Sequence, residues 1–346
     1  MSIEPRRTAS AVALIVLLAA GEAPAHHPSA GFGTGSAGPI TTISAVPVPR
    51  KQWSFDLRGD YLKFDRISNG RLEELAAAGM EVHSIDDERT VFFGAGYGLT
   101  EDFSLGFHIP YVVRRGIREG HMMEDGTPEV HVHGDSEGIG DLSLFGMYRF
   151  ARQEKAGADL SLLFGLKMPT GTTREKDLSG ARFATEFQPG SGSWDPLVGL
   201  SATRRWGPAS LDASLLYAIA TKGAQGTDLG DMLHYGAAIS CRFVPGRHDS
   251  HDASPAQERK HAALHRHIAW DFILEATGDW KRKQTVQGIG DDNSGGTTIF
   301  LSPGVRFNYQ DRWSAYLSTG FPILQDMNGT QHDVSYRILL GISAGL

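Results

Sequence analysis

Alternation of apolar and polar residues is the feature that most constrains the fold of this chain. In residues 52–64, for example, Trp53 and Phe55 share one face of an extended backbone, and Asp56 and Arg58 share the opposite face. The alternating segments run for about 9 residues or more. That is the length of a tilted strand that crosses a bilayer, whereas strands of globular proteins average about 5 to 6 residues. The pattern therefore predicts long strands, each with one apolar and one polar face.

Twelve such segments follow one another along the chain, and an even number is typical of bacterial outer-membrane barrels. They are residues 52–64, 90–99, 102–113, 141–150, 160–168, 194–202, 211–219, 233–243, 268–276, 299–307, 313–321 and 334–346. The connections after segments 2, 4, 6 and 10 are short, whereas those after segments 1, 3 and 5 are long. Periplasmic turns and outer loops of such barrels alternate in this way.

We therefore predict an all-β fold over residues 51–346, an antiparallel transmembrane β-barrel of about twelve strands with both termini periplasmic. Residues 245–267 interrupt the order of turns and loops as a His-rich insertion. A soluble β-sandwich is the alternative, because its strands also alternate in polarity.

The first 25 residues predict export. Arg6 and Arg7 precede an apolar run over residues 11–20, and Ala23-Pro24-Ala25 follows, which is the pattern of a secretory signal peptide. The apolar run is far shorter than the roughly 20 residues of a membrane-spanning helix. Cleavage would leave residues 26–50 as a periplasmic N-terminal segment. The predicted location is the outer membrane of a Gram-negative bacterium.

The net charge limits the classes of binding partner, and the cysteine content limits how the fold can be stabilised. The formal net charge of -7, from 33 basic and 40 acidic residues, argues against nucleic acid, which requires clustered basic surface. The predicted partners are outer-membrane lipid and a small-molecule solute, and the sequence leaves the number of subunits open. Cys241 is the only cysteine, so the fold must be held by hydrogen bonds and packing instead of an internal disulfide.

Charged residues on the polar face predict the lining of the barrel interior, because they would not be tolerated toward lipid. They fit either a hydrated path for solutes or a set of side chains that fills a narrow barrel. Their mixed signs argue against strong selectivity for cations or anions. The predicted lumen-lining residues are Asp56, Arg58, Asp60, His108, Arg149, Lys167, Asp195, Asp212, His234, Arg242, Asp271, Glu275, Arg306 and Arg337.

Several short motifs form a recognisable set. They are Gly138-Ile139-Gly140-Asp141-Leu142, GLKMPTG over residues 165–171, QPGSGSWDP over residues 188–196, FLSPG over residues 300–304, and His26-His27-Pro28 followed by Gly38-Pro39-Ile40. The set resembles the outer-membrane "transporter" family named for the MetA pathway of phenol degradation, which is distantly similar to fatty-acid and aromatic-hydrocarbon outer-membrane channels. The resemblance covers nearly the whole mature chain. It implies an outer-membrane barrel that carries small hydrophobic substrates.

The 14 histidines are concentrated in a few places. Imidazole is a good ligand for copper, zinc and nickel, so copper or zinc is the candidate metal, and no other cofactor is predicted. None of the clusters repeats the spacing of a closed zinc site, and solvated loop histidines are therefore the alternative. The candidate ligands are His26 and His27 at the mature N-terminus, His121, His131 and His133 in one outer loop, and His261 and His265 in the His-rich insertion.

Catalysis is not predicted. His234 and Ser240 share a face of one segment, but no nucleophile-elbow motif surrounds either residue. The sequence thus favours an outer-membrane channel or transporter for small molecules of hydrophobic or aromatic character. The alternatives are a metal-associated outer-membrane component that uses the loop histidines, and a sealed structural barrel.

Overall fold

Twelve long strands form one closed antiparallel sheet. The computed structural model describes residues 38–244, 268–310 and 312–346, so the predicted signal peptide and the His-rich insertion lie outside the described residues. The strands are β1 Trp53–Phe64, β2 Asp87–Gly98, β3 Phe103–Met122, β4 Ser143–Ala151, β5 Asp159–Lys167, β6 Asp195–Trp206, β7 Ala209–Ala218, β8 Met232–Phe243, β9 Ile268–Lys281, β10 Gly296–Tyr309, β11 Trp313–Met327 and β12 Val334–Gly345.

Each strand pairs with its neighbours in sequence, and β12 pairs with β1 to close the barrel. Every strand overlaps one of the twelve alternating segments. The prediction of a twelve-stranded antiparallel barrel is therefore confirmed.

Smaller elements lie mostly in the connections. The helices are α1 Asn69–Ala77, α2 Gln153–Ala156 and the 3-10 helices Thr185–Phe187 and Ala224–Gly226; the additional strands are Val82–Ser84, Pro128–Ile139, Thr227–Asp228, Thr285–Val286 and Ile289–Gly290. Ser68 caps α1 by accepting the Arg71 N–H at its hydroxyl, and Leu72 and Leu75 of α1 pack on Val82. None of the helices in the described ranges is long and apolar enough to span a membrane.

The strand faces differ as the alternation requires. Leu215 and Leu340 are 50% and 55% exposed, whereas their neighbours Ser214 and Leu339 are 4% and 2% exposed. The outward face is thus apolar and the inward face largely polar. At the ends of β1, β6 and β11 lie exposed tryptophans, Trp53, Trp206 and Trp313, as in the aromatic girdle of an outer-membrane barrel.

The two ends of the barrel are unequal. The turns between β2 and β3, β4 and β5, β6 and β7, and β10 and β11 are short and share one end, here called the short-turn end. The connections after β1, β3 and β5 are long and share the opposite end, the long-loop end. Pro128–Ile139 pairs with the outer part of β3, Tyr111 to Met122, so these strands form a hairpin at the long-loop end.

Residues 38–48, here called the plug segment, lie inside the barrel. Ile40, Ile43, Ala45 and Val48 are at most 5% exposed. Residues 26–50 are predicted from the sequence as a periplasmic N-terminal segment, and residues 38–48 of that segment lie against the inner wall. The plug segment forms no strand, and its backbone groups bind polar side chains of the wall instead.

Glycines of the wall make room for the plug segment. A Cβ atom at Gly304 would lie 2.7 Å from Ile40 Cδ1, and one at Gly236 would lie 2.8 Å from Thr42 Oγ1. Glycine at these two strand positions leaves room for the side chains of Ile40 and Thr42.

Candidate functional site

Three of the sequence motifs meet on one side of the barrel interior, around Asp141. Asp141 Oδ1 accepts the Gly171 N–H at 2.9 Å, and Asp141 Oδ2 accepts the N–H and the hydroxyl of Ser191 at 2.8 and 2.6 Å. Each bond joins residues of different motifs that are 30 or 50 positions apart in the chain. We call Asp141, Lys167, Gly171, Ser191 and Asp195 the motif cluster.

A lysine and close backbone contacts complete the motif cluster. Lys167 Nζ lies 2.5 Å from Asp195 Oδ2 and 3.8 Å from Asp141 Oδ2. A Cβ atom at Gly171 would lie 2.8 Å from the Cα of Gly190, so the two loop backbones touch where the motifs place glycine. The motif cluster therefore fixes the 168–194 loop against the inner wall.

A cavity of about 60 Å³ lies beside the motif cluster. Its polar lining includes His108, Asp141, Lys167, Asp195 and Lys281. Most of the remaining lining is apolar: Phe92, Pro110, Val112, Phe145, Pro189, Leu197, Ala218, Ala220, Leu229 and Met232. We call it the apolar cavity.

The plug segment packs against the wall of the apolar cavity. Ile43 packs with Phe145 and Leu197, and both of these line the cavity. The Ile43 N–H donates to Ser214 Oγ at 3.0 Å, and the Ala45 N–H donates to Thr203 Oγ1 at 2.8 Å. The plug segment is thus held by side chains of the wall that point inward.

A larger cavity of about 430 Å³, the mouth cavity, lies at the long-loop end. Its lining is more polar and includes His83, Glu88, Glu186, Asp291 and His332. Lys281 lines both cavities, so they adjoin at this side chain. Burial lowers the pKa of His332 to about 4, and its imidazole is therefore neutral at pH 7.

The predicted lumen-lining residues all lie on inward strand positions and are buried or partly buried. Most of them are paired with other groups of the wall. Arg337 binds Asp60, Arg242 binds Asp271, His234 binds Asp279, Arg149 binds Asp159, Lys167 binds Asp195, Asp56 accepts from Tyr316, Asp212 accepts from Thr203 and Ser210, and the Arg58 guanidinium lies over the Phe92 ring.

Two of the predicted lumen-lining residues bind the plug segment. Glu275 accepts the N–H groups of Ile40, Thr41 and Thr42 at 2.9 to 3.1 Å. Arg306 donates to the carbonyl oxygens of Gly38 and Pro39. The charge of Glu275 and Arg306 and their position on inward strand faces follow from the sequence. Their contact with the plug segment does not, because the alternation pattern says nothing about where residues 38–48 lie.

Of the candidate metal ligands, the structure brings His131 and His133 together at the long-loop end. Their ring centroids are 4.5 Å apart, and that of His121 is 5.8 Å from that of His131. His133 Nε2 lies 3.0 Å from Glu119 Oε2, and His133 Nδ1 lies 3.0 Å from Asp177 Oδ2. His26, His27, His261 and His265 lie outside the part of the chain that the structure describes.

Sequence reasoning missed three neighbours of these histidines: His83, Glu119 and Asp177. The available signal was that Glu119 and His121 are two residues apart and so share a face of an extended backbone. The pKa of His133 is raised, chiefly by its hydrogen bond to Glu119. Burial would lower the pKa of His83, but the hydrogen bond to Glu119 and the charge of Glu186 outweigh it and raise the pKa.

The closed barrel, the apolar outward face and the aromatic girdle define the fold of a bacterial outer-membrane β-barrel. Among solved structures, an outer-membrane channel from Pseudomonas putida F1 is similar, with a TM-score of 0.52, 13% identity, and 87% of this chain and 98% of that chain covered. The NanC porin has a TM-score of 0.42 at 8% identity, with coverage of 84% and 100%. The CymD monoaromatic hydrocarbon channel has a TM-score of 0.38 at 11% identity, with coverage of 86% and 88%.

Residues 85–251 match the family described as putative MetA-pathway of phenol degradation. This confirms the resemblance that the motifs indicated. The matched range contains the whole motif cluster and most of the residues around His133. Comparison with curated protein sequences finds no match.

Proposed function

We propose that this protein is an outer-membrane channel for small apolar or aromatic molecules. The observation that carries the proposal is the apolar cavity, which lies inside the barrel between the mouth cavity and the plug segment. Binding sites for small organic molecules are mostly lined by apolar side chains and contain a few polar groups. The apolar cavity has this composition, with Lys167 and Asp195 as the polar groups near its wall.

The motif cluster supports this proposal because it holds part of the cavity wall. Asp141, Lys167, Pro189 and Asp195 line the cavity, and they belong to the three motifs that meet there. The description of the matching family, phenol degradation, agrees with a small aromatic solute. The similar protein from Pseudomonas putida F1 is also an outer-membrane channel.

The plug segment has to move for a solute to pass. Its backbone N–H groups donate hydrogen bonds to separate wall side chains, among them Ser214, Thr203 and Glu275, and it pairs with no strand of the barrel. Such contacts break one by one, whereas a strand in the sheet would have to leave a continuous ladder. We infer that displacement of the plug segment opens the short-turn end.

The orientation completes the proposal. The short-turn end faces the periplasm with both termini, and the long-loop end faces the outside, because bacterial barrels have short periplasmic turns and longer outer loops. The mature protein follows cleavage of residues 1–25 and contacts outer-membrane lipid with its apolar face. The fourteen predicted lumen-lining residues line or close the solute path, and no catalytic step is assigned to any of them.

Uptake of radiolabelled toluene by intact cells tests the function. A deletion strain that expresses the parent protein should take up toluene faster than the deletion strain alone. Ala218→Trp should slow this uptake, because Ala218 lines the apolar cavity. Leu215→Trp is the matched control, since Leu215 lies on the same strand but faces outward and is 50% exposed.

Two results would overturn the proposal. Equal uptake with and without the protein would indicate a sealed structural barrel, provided that the protein is folded in the membrane. Equal uptake by the Ala218→Trp and Leu215→Trp variants would mean that the solute does not pass through the apolar cavity.

A further inference from the structure

We propose that His83, Glu119 and His133 bind a divalent transition-metal ion of the zinc class at the long-loop end. The site goes beyond the proposed transport function and does not depend on it. One ligand atom from each of the three residues lies within 4.8 Å of the others. Two imidazoles and one carboxylate with a remaining open position are an established ligand set for zinc.

Adjacent strands place the three side chains together. His83 and Glu119 are opposite each other in the pairing of Val82–Ser84 with β3. Glu119 is opposite His131 in the pairing of β3 with Pro128–Ile139, and His133 is two residues further along the same strand. His83 and Glu119 therefore stand on paired backbone, and His133 lies at a bulge in the same hairpin, between the paired residues Val132 and Gly134. Strands hold side chains more firmly than loops do.

The distances fit a metal ion between the ligands. Glu119 Oε2 lies 3.0 Å from His133 Nε2, and Glu119 Oε1 lies 3.4 Å from His83 Nε2. Two atoms that bind one tetrahedral zinc at about 2.0 to 2.1 Å are themselves about 3.3 Å apart. Small rotations of the two imidazoles would close the remaining separation.

The second nitrogen of each imidazole faces another carboxylate. His133 Nδ1 lies 3.0 Å from Asp177 Oδ2, and His83 Nδ1 lies 3.7 Å from Glu186 Oε1. Histidines that bind metals commonly donate their other N–H to a carboxylate, which fixes the ring and makes it a better ligand. The hydrogen bond to Asp177 thus sets the orientation of the His133 ring, and the Nε2 atoms of both rings point toward Glu119.

The surroundings of the three ligands favour a bound cation and limit the access of water. Glu119, Asp177 and Glu186 supply three carboxylates around the two ligand nitrogens. The ring of Phe187 is 4.8 Å from that of His83, and the ring of Phe183 is 6.1 Å from that of His133. The side chains of His83, Glu119 and His133 are 29%, 19% and 19% exposed. An ion can thus enter from the mouth cavity, which His83 lines.

A competing set consists of His131, His133 and Asp177, whose ligand atoms also lie within 4.8 Å of one another. It is the weaker set because Asp177 offers an ion only Oδ2, since its Oδ1 accepts from Ser179 and from the Ala181 N–H, whereas both oxygens of Glu119 face histidines. The side chain of His131 is also the most exposed of the group, at 38%. The two sets share His133 but differ in His83 and His131, and this difference makes them separable.

The test is zinc titration of the purified full chain in detergent, followed by calorimetry and by hydrogen exchange of the amides. His83→Ala and Glu119→Gln should each reduce the affinity of one zinc ion by about 100-fold or more, and Asp177→Asn by about 10-fold. His131→Ala and His121→Ala are the matched controls and should retain this ion. Zinc should slow exchange around residues 82–84, 117–121 and 131–133.

The exchange measurement locates the ion, because any of the 14 histidines of the chain is a chemically competent zinc ligand. Heat-dependent mobility on gels verifies that each variant forms the barrel. Zinc binding without slowed exchange in these three stretches would overturn the proposal. So would loss of the ion in His131→Ala with retention in His83→Ala, which would assign the metal to the competing set.

Discussion

Both carboxylate oxygens of Glu275 accept the backbone N–H of Thr41, each at 3.0 Å. The same carboxylate also accepts the N–H groups of Ile40 and Thr42, and Glu275 is fully buried. A buried carboxylate is tolerated only when it is paired or well hydrogen-bonded. Here three N–H groups of the plug segment satisfy it, so the barrel wall and the plug segment stabilise each other.

Removal of this carboxylate should loosen the plug segment. Glu275→Ala leaves three buried N–H groups without their acceptor, which should weaken the plug segment's attachment by about 3 kcal/mol. In planar bilayers the fraction of open time should rise about 100-fold, since 1.4 kcal/mol corresponds to a factor of ten. Glu73→Ala, on the exposed side of α1, removes one carboxylate far from the interior and should behave as the parent. Unchanged opening in Glu275→Ala would show that the plug segment does not control conductance.

Charge on the outward face should destabilise the barrel in lipid. Leu215→Arg should lower the free energy of unfolding by about 2 to 4 kcal/mol if the residue lies near the bilayer midplane. Leu215→Phe keeps an apolar side chain there and should be nearly neutral. Urea unfolding from lipid vesicles measures both variants, and equal losses would contradict the face assignment.

Arginine at the inward neighbour should also be costly, for a different reason. Ser214 accepts the Ile43 N–H, so Ser214→Arg should displace the plug segment instead of meeting water. We expect higher conductance in planar bilayers from Ser214→Arg, whereas Leu215→Arg should leave conductance unchanged. Parental conductance in a folded Ser214→Arg protein would contradict the packing of Ile43 against the wall.

Cysteine labelling on cells tests the orientation. With Cys241 replaced by Ser, Met123→Cys at the exposed tip of the long-loop hairpin should react with an impermeant maleimide on intact cells. Glu154→Cys in α2, at the short-turn end, should react only after the outer membrane is permeabilised. Both parent residues are exposed, so a difference reports the side of the membrane and not burial. The reverse labelling would invert the proposed orientation.

A turn at the short-turn end gives a pH-dependent contribution to stability. Hydrogen bonds from Arg152, and further ones from Arg149, hold the pKa of Asp102 below its ordinary value. The contribution is therefore complete above the pKa of the unfolded chain, about 3.9, and is lost as pH falls through the lower pKa of the folded protein. Because Asp102 and its two arginine partners lie near the surface, we expect them to contribute at most about 1 kcal/mol to the free energy of unfolding.

Urea unfolding of the parent and of Asp102→Asn in detergent measures this contribution. At pH 7 the parent should be more stable, and the difference should shrink as pH falls below the unfolded-state pKa of about 3.9, because protonation of Asp102 removes its charge. A difference that does not change with pH would show that the arginine contacts act without the charge of Asp102.

The sequence motifs could be only partly interpreted without the structure. Their resemblance to a family of outer-membrane proteins could be read from the sequence, and it is confirmed over residues 85–251. Their physical role could not be read, because Gly171 and Ser191 meet Asp141 only after the 168–194 loop folds inward. The same holds for His83, which is 36 residues from Glu119 in the chain and opposite it in the sheet.

The strands and their faces were determined by the sequence alone. Alternation has a period of two residues, and successive side chains of an extended backbone point to opposite sides whatever lies further away. That local rule gave all twelve strands and placed Asp60, Glu275 and Arg337 on the inward face. Only the tertiary structure decided what those side chains bind. The plug segment, the apolar cavity and the His83–Glu119–His133 group depend on barrel closure, strand register and the paths of loops, which bring together residues whose separation in the chain follows no local period.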